Sequence, residues 1–315
     1  MVLKTDAGGQ GSSQIVNASE VKARAVGAYL GLAVGDALGA TVEFMTPREI
    51  QTDYGLHDTI RGGGWLKLKR GQVTDDTTMA LALGRSILES GRVDAHAAVQ
   101  AFDGWMRAKP IDIGHTVRRG IIHFRQTGES CVPENEYDAG NGACMRTLPV
   151  ALATYGMDTV QVQTASRAQA HVTHNNHLSD AGTECVIAMI QAALDGATIT
   201  ELLHGPVREL VTAFPEFRFR GRRRDNPSAY IVETLQAVFQ ALFDTDTFED
   251  CLVDVVNRGG DADTTGAIAG MIAGAVYGRD TIPGRWLKAL DREVHDACRD
   301  QALAMLTLSP RYAQC

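Results

Sequence analysis

From Val21 onward the apolar positions recur at helical spacing, and the pattern persists along almost the whole chain. VKARAVGAYLGLAVGDALGATVEF predicts a long helix in which Gly31, Gly35 and Gly39 fall every fourth position. Such a stripe lets a second helix approach closely, which offsets glycine's cost in a helix. MALALGRSILESG predicts a helix closed by Gly91, and DAHAAVQAFDGWMRAK one stopped by Pro110. Helical patterns follow at MRTLPVALATYG, SDAGTECVIAMIQAALDG, ITELLHGPVRELVTAF, SAYIVETLQAVFQALFD, TFEDCLVDVVNRG, TTGAIAGMIAGAVYG and PGRWLKALDREVHDACRDQALAML. Alternating runs are scarce, and neither a fixed-period repeat nor a mid-chain linker is found. The expectation is an all-α fold: one compact multi-helix domain over residues 23–315, with its chemistry on the loops between helices. Residues 1–22 begin with a stretch rich in Gly, Ser, Gln and Asp and read as a flexible amino-terminal extension.

Composition narrows the function classes. The 315 residues are 44% hydrophobic and 22% charged, as in a soluble globular protein, and are long enough to bury a sizeable core. A net charge of −8 argues against nucleic acid as a partner. The first twenty residues lack the apolar region of a secretory signal, and Asp36 interrupts the best candidate for a transmembrane segment. Six cysteines are scattered without a CxxC pair, which reads as reduced thiols in a cytoplasm.

Two segments concentrate carboxylates. Thr74-Asp75-Asp76-Thr77 precedes the helix near Met79, and Gly260-Asp261-Ala262-Asp263-Thr264-Thr265 precedes another. Helix capping explains one side-chain oxygen in each, since Thr and Asp are good N-caps and acids suit a helix start. Each segment offers at least four oxygen-bearing side chains, so capping combined with metal binding is the fuller reading. Oxygen-only donors suit Mg²⁺ or Mn²⁺, and two such loops brought together could hold a pair of divalent cations. A calcium EF-hand starting at Asp261 fails, because position 12 is Ile272 where a Glu is required. Asp36 and Glu43 lie seven apart and would share a face if the helix persists; a solvated helix edge is the alternative to paired or ligating acids.

In this order, GDALGATVE, TDDT and GGDADTTG resemble the ADP-ribosylglycohydrolase family over about Val26 to Leu290. GGGWLKL, PIDIGHTVRRG, GNGACMR, THNNHLSDA and SAYIVETLQ are similar to its arginine-specific branch. The resemblance implies an all-helical fold around a binuclear Mn²⁺ or Mg²⁺ site. It also implies hydrolysis of the N-glycosidic bond between ADP-ribose and a protein arginine. It places metal ligands at Thr74, Asp75, Asp76, Asp261, Asp263 and Thr264, and catalytic roles at Glu43 and Asp112. It places Asn141, Gly142 and His174 in the ADP-ribose pocket and Tyr230 against the adenine. Thr78, His115 and the longer amino terminus depart from the pattern, touching substrate preference and biological role rather than the metal site.

Several weaker signals keep bland readings. His171, His174 and His177 recur every third position, but no fourth ligand near them supports zinc. Arg218, Arg220, Arg222, Arg223 and Arg224 read as a solvated loop, or else as an anchor for a pyrophosphate or an acidic protein face. Trp65, Trp105 and Trp286 are assigned to the core or its margin. The expected partner is an ADP-ribosylated protein. The alternative partner is an ADP-ribosyltransferase toxin, with residues 1–22 plugging its cleft; a non-catalytic relative is disfavoured by the intact acidic loops.

Overall fold

Two glycine-striped helices lie against each other at the centre of the molecule, and the remaining helices pack around them. The computed structural model describes residues 17–314. The chain begins with α1 (Ala18–Gly39), α2 (Pro47–Tyr54), α3 (Asp75–Ser90), α4 (Ala95–Arg107) and α5 (His115–Thr127). It continues through α6 (Gly142–Met145), α7 (Leu148–Ala153), α8 (Thr159–Ala170), α9 (His177–Leu194), α10 (Ile199–Leu202) and α11 (Arg208–Ala213). It ends with α12 (Ile231–Asp244), α13 (Phe248–Val256), α14 (Ala262–Tyr277), α15 (Gly284–Leu287) and α16 (Arg292–Leu306). Only isolated bridges, Gly63 with Leu68 and Gly140 with Tyr230, interrupt the helical architecture among the described residues. The all-α expectation is borne out. No helix among the described residues is long and apolar enough to cross a membrane.

Helices α1 and α14 run antiparallel, in contact through glycine. A Cβ on Gly31 would lie 2.1 Å from the Gly270 carbonyl oxygen, and one on Gly35 would lie 1.9 Å from that of Gly266. Gly27 meets Gly274 and Gly39 meets Ala262 in the same way. The partner stripe, Gly266, Gly270 and Gly274, also has a period of four, so each backbone sits in the groove of the other. Around the pair, α3, α9, α12, α13 and α16 contribute the apolar faces of one continuous core.

Four helices lie outside the segments whose pattern predicts a helix: α2, α5, α6 and α8. Short α2 is announced instead by a capping box, in which Thr46 Oγ1 accepts from Glu49 N and Glu49 Oε2 accepts from Thr46 N. Asp158 and Gln161 do the same for α8. Helix α5 begins after Gly114 with no side-chain cap. The segment from Ile199 to Ala213 is not one helix: Gly205 leaves helical geometry (φ −99°, ψ −108°) ahead of Pro206, which has no N–H to donate. Helix α1 stops at Gly39, and the chain turns through Phe44 (φ 63°), so Asp36 and Glu43 do not share a helix face.

Residues 1–16 of the expected extension, and with them the plugging role, lie outside the described residues. Residues 18–22 are helical, because the Asn17 side chain accepts the Ser19 N–H at 2.9 Å and starts α1 there. Trp286 is fully buried and Trp105 nearly so, as expected, but Trp65 is 52% exposed.

The glycine contact yields a paired test. Gly35→Ala should destabilise the protein by roughly 3 kcal/mol despite alanine's better helix propensity, since the clash is with backbone. Gly104→Ala in α4, where a Cβ meets nothing within 4 Å, should be neutral or stabilising by up to about 1 kcal/mol. Calorimetric or denaturant unfolding of both variants measures the contrast.

Candidate functional site

The amino-terminal ends of several helices converge on one cavity of about 620 Å³. Asp75 at the start of α3, Gly114 before α5, Asn141 before α6 and Asp261 before α14 all line it. The partial positive charge of helix starts suits anionic groups. Glu43, Asp112, Gly142, His174, Asp263 and Thr264 line the same cavity. Thr74 and Asp76 are buried just behind that wall: Asp76 Oδ2 lies 3.2 Å from Thr74 Oγ1 and 3.4 Å from Thr264 Oγ1. Tyr230 sits before α12 with 39% exposure, its backbone bridged to Gly140, while its neighbours Ser228 and Ala229 reach the lining.

Capping alone does not explain the acidic loops. Thr74 and Asp261 occupy N-cap positions, yet neither side chain makes a cap hydrogen bond. Asp36 instead ties the first loop to the central helix. Its Oδ1 accepts from Thr74 N (2.9 Å) and Oγ1 (3.0 Å), and its Oδ2 from Thr77 N (3.1 Å) and Oγ1 (2.5 Å). Asp36 is therefore a brace, and its four hydrogen bonds compensate its complete burial. The second loop is set by Asn141, whose Nδ2 donates to Asp261 Oδ2 (2.5 Å) and to Thr234 Oγ1 (3.0 Å). Carboxylate oxygens of Glu43, Asp261 and Asp263 lie within 4.8 Å of one another.

The electrostatics of the cluster are one-sided. Burial, reinforced by neighbouring carboxylates, pushes Glu43 up to about 8 and Asp75 up to about 7. Asp36 rises to about 6 through burial alone, opposed by its hydrogen bonds. Burial and like charges also hold Asp76 and Asp263 well above the carboxylate range and raise Asp261, while burial raises Asp112. No lysine or arginine among the described residues lines the cavity.

Behind the opposite chemistry, that of a neutral donor, stands a buried relay. Arg146 is fully buried, and its Nη2 donates to Thr173 Oγ1 at 2.8 Å. Thr173 Oγ1 is 2.7 Å from His174 Nδ1. With the guanidinium donating to Thr173 Oγ1, the hydroxyl's own proton is left to turn toward His174 Nδ1, the arrangement in which the ring proton sits on Nε2. Burial, then the charges of Arg146 and Arg119, lower His174 to about 3, so the ring is a neutral donor. Gly140 and Gly142 make room for it: a Cβ on either would lie within 3 Å of the ring. Sequence reasoning missed this relay: Arg146 and Thr173 fall at the edges of GNGACMR and THNNHLSDA, but neither motif says that the two side chains meet.

The other histidines are elsewhere: His171 Nε2 pairs with Asp180 Oδ2 at 2.9 Å, and His177 packs near Phe214. The arginine run is largely tied down. Arg220 pairs with Asp244, Arg223 with Asp225 and Asp254, and Arg224 with Gln236 and Glu233, so it does not anchor a ligand in this cavity. Trp65 is the clear correction: it lines the cavity and donates Nε1–H to Glu43 Oε2 at 2.6 Å. Its neighbours Gly62, Gly63 and Gly64 all have positive φ, and a glycine run before an aromatic could have marked it as a shaped loop rather than core.

The sequence and the fold match those of known proteins. The family model for ADP-ribosylglycohydrolase matches residues 17–312. The chain is 49% identical to an ADP-ribosyl-[dinitrogen reductase] glycohydrolase of Rhodospirillum rubrum over 91% of this chain and 96% of the relative. It is 32% identical to the ADP-ribosylarginine hydrolase Tri1 of Serratia proteamaculans over 88% and 77%, respectively. A solved structure described as an ADP-ribosylglycohydrolase-related protein complex superposes with a TM-score of 0.82 at 34% identity, over 92% of this chain and 99% of that one. The fold and the site thus define an all-helical glycohydrolase. The chain belongs to the ADP-ribosylglycohydrolase family.

Two measurements follow. Carboxylates raised in the folded state bind protons that the unfolded chain has released, so their stabilisation is greatest at low pH and is lost as pH rises from about 4 through the raised values. With EDTA present, unfolding temperature should fall between about pH 5 and pH 8, less steeply in Glu43→Gln. Nitrogen-15 shifts should show His174 protonated at Nε2 alone at pH 5, and Thr173→Val should give a mixture of tautomers.

Proposed function

We propose that this enzyme hydrolyses the N-glycosidic bond between ADP-ribose and an arginine side chain of a protein, reversing mono-ADP-ribosylation with the help of two divalent cations, Mg²⁺ or Mn²⁺. The supporting observation is the acidic wall itself: two loops far apart in sequence present carboxylates to one cavity that no lysine or arginine among the described residues lines. The Rhodospirillum relative's name gives a glycohydrolase acting on an ADP-ribosylated protein, and the Serratia relative's name gives the arginine linkage, which supports this reading.

The donors fit a hard cation. Asp76 Oδ1 is buried and receives no hydrogen bond, a costly state unless something positive faces it. Thr74, Asp75, Asp76, Asp261, Asp263 and Thr264 would hold the ions, and every side-chain donor among them is oxygen. When bound, such ions act as Lewis acids toward ribose hydroxyls and lower the pKa of a bound water.

The chain's own side chains do the rest. Water adds to the anomeric carbon, the bond to the guanidine nitrogen breaks through an oxocarbenium-like sugar, and the guanidine leaves with a proton. Asp112 Oδ1 is engaged by the Ile113 N–H (2.7 Å), which leaves Oδ2 toward the cavity for proton handling at the ribose. Glu43 keeps Oε1 free beside Asp261 and Asp263 and serves as the second acid–base group. Asn141 and Gly142 shape the ADP-ribose pocket, His174 donates Nε2–H to an acceptor of the ligand, and Tyr230 at the rim offers its ring to the adenine. Four of the five described cysteines are buried and all are unpaired, which suits a reducing cytoplasm.

Release of ADP-ribose from an arginine-ADP-ribosylated protein, with Mn²⁺ or Mg²⁺ and then with EDTA, tests the reading. Metal-dependent release is expected in the parent protein and its loss in Asp261→Ala. Asp112→Ala should lower kcat by at least about a hundredfold while still binding metal. Full turnover of that variant would remove Asp112 from proton transfer.

A further inference from the structure

We propose that Phe44 and Trp65 form the subsite for the leaving arginine, and that the groove beyond them receives a cationic stretch of the modified polypeptide. This rests on the arginine-hydrolase reading above and adds to it the part of the substrate outside ADP-ribose. Phe44 and Trp65 are 64% and 52% exposed, with ring centroids 5.4 Å apart, so two large aromatic faces stand at the mouth of a polar site. Neither is loose. Phe44 adopts φ 63°, a conformation a bulky residue takes only where its surroundings enforce it, and its N–H donates to the Gly260 carbonyl at 2.7 Å. Gly260 directly precedes Asp261, so the aromatic rim is tied to the acidic loop. Trp65 is held by its 2.6 Å hydrogen bond to Glu43.

Glu43, Phe44 and Trp65 line two spaces at once: the cavity of about 620 Å³ and an adjoining groove of about 480 Å³. The shared wall is where the acid cluster opens into the second space. A guanidinium is planar and cationic, and it stacks on aromatic faces, so the wall has the chemistry to take it as the bond to ribose breaks. The groove beyond it is lined by Glu49 and Asp53, one turn apart on α2, and by no lysine or arginine among the described residues. Thr46 hydrogen bonds hold Glu49 below the usual carboxylate range; they occupy Oε2 and leave Oε1 outward. Asp53 forms no ion pair among the described residues. At the groove's edge Tyr54 already carries one guanidinium, that of Arg61, 5.7 Å from its ring centroid. Aromatic faces followed by unpaired carboxylates complement an arginine within a basic segment.

Steady-state kinetics on an arginine-ADP-ribosylated protein with basic residues around the modified site, and on ADP-ribosyl-L-arginine, test the proposal, with ADP-ribose affinity measured by calorimetry. Phe44→Leu keeps bulk but removes the π face. It should raise KM about fivefold for both substrates, with kcat and ADP-ribose affinity within twofold of the parent. The double variant Glu49→Gln/Asp53→Asn retains the capping box, because Gln also serves at that position. It should raise KM about tenfold for the protein substrate only, and remove the rise of that KM with salt seen in the parent. Unchanged KM values in both variants, equal loss of ADP-ribose affinity in Phe44→Leu, or equal effects of the double variant on both substrates would each overturn the proposal. If the parent releases no ADP-ribose from either substrate, the arginine reading fails first and takes the subsite with it; an active parent with unaffected variants removes the subsite alone.

Discussion

The antiparallel contact between α1 and α14 is the constraint on which the rest of the molecule depends. Each glycine of one stripe faces a backbone carbonyl of the other at a separation that leaves no space for a Cβ. At that range the two backbones act as one rod, and the carboxyl end of α1 is fixed against the amino end of α14. The consequence is chemical. Asp36 and the turn bearing Glu43 leave one end of the rod, Asp261 and Asp263 stand at the other helix's start, and the two groups meet. Helices separated by ordinary side chains, 8–10 Å apart, would not bring these short carboxylates into one cluster. Helix-destabilising glycines are retained here because they set a distance.

Asp36 converts that rod into a three-part site. It is a fully buried acid with no cationic partner, satisfied by four donors from Thr74 and Thr77. Hydrogen bonding of this kind costs little net energy when complete and a great deal when one donor is lost. The bonds place Asp75 and Asp76 beside the α14 loop. Thr74 is thereby both a brace and a neighbour of Asp76 Oδ2, which explains why hydroxyls accompany the acids in both segments.

The sequence disclosed what depends on local pattern and on short motifs. Helical periodicity showed the all-α class, and the two acidic segments marked where carboxylates gather, because four oxygen-bearing side chains in a row exceed what a cap requires. Helices α2 and α8 were missed and rest on capping boxes; α5 was missed although Val117, Ile121 and Phe124 form an apolar stripe, because it starts without any side-chain cap. The second glycine stripe, Gly266, Gly270 and Gly274, was present in TTGAIAGMIAGAVYG and is the natural partner of the first, yet pairing two stripes requires knowing which helices meet. Trp65 was misplaced because composition treats tryptophan as core, whereas its loop geometry turns the indole N–H to Glu43. The position of Arg146 was missed for a different reason: it contacts His174 through Thr173, 27 residues on, and a contact between segments leaves no spacing to read.

That relay also gives one cavity two chemically distinct walls, as the proposed substrate, ADP-ribose joined to an arginine, would require. The acid cluster suits cations, whereas a pyrophosphate requires donors and no nearby negative charge. Arg146 stands behind His174 rather than in the cavity, without a carboxylate partner; it bonds to Gln169 and Thr173 and lies over the Phe102 ring at 4.4 Å. Burial lowers it to about 9, still charged at neutral pH, and the Asp75 carboxylate opposes that fall. A cation held there draws the potential of that wall upward without offering a competing ligand for the carboxylates. His174, kept neutral by burial and by the same cation, presents a single N–H in front of it. The negative wall, the neutral donor and the buried positive charge form successive layers. A lysine or arginine placed directly in the cavity could pair with Glu43 or Asp261 and close the site; set one side chain back, the charge acts through the field and leaves the carboxylates free.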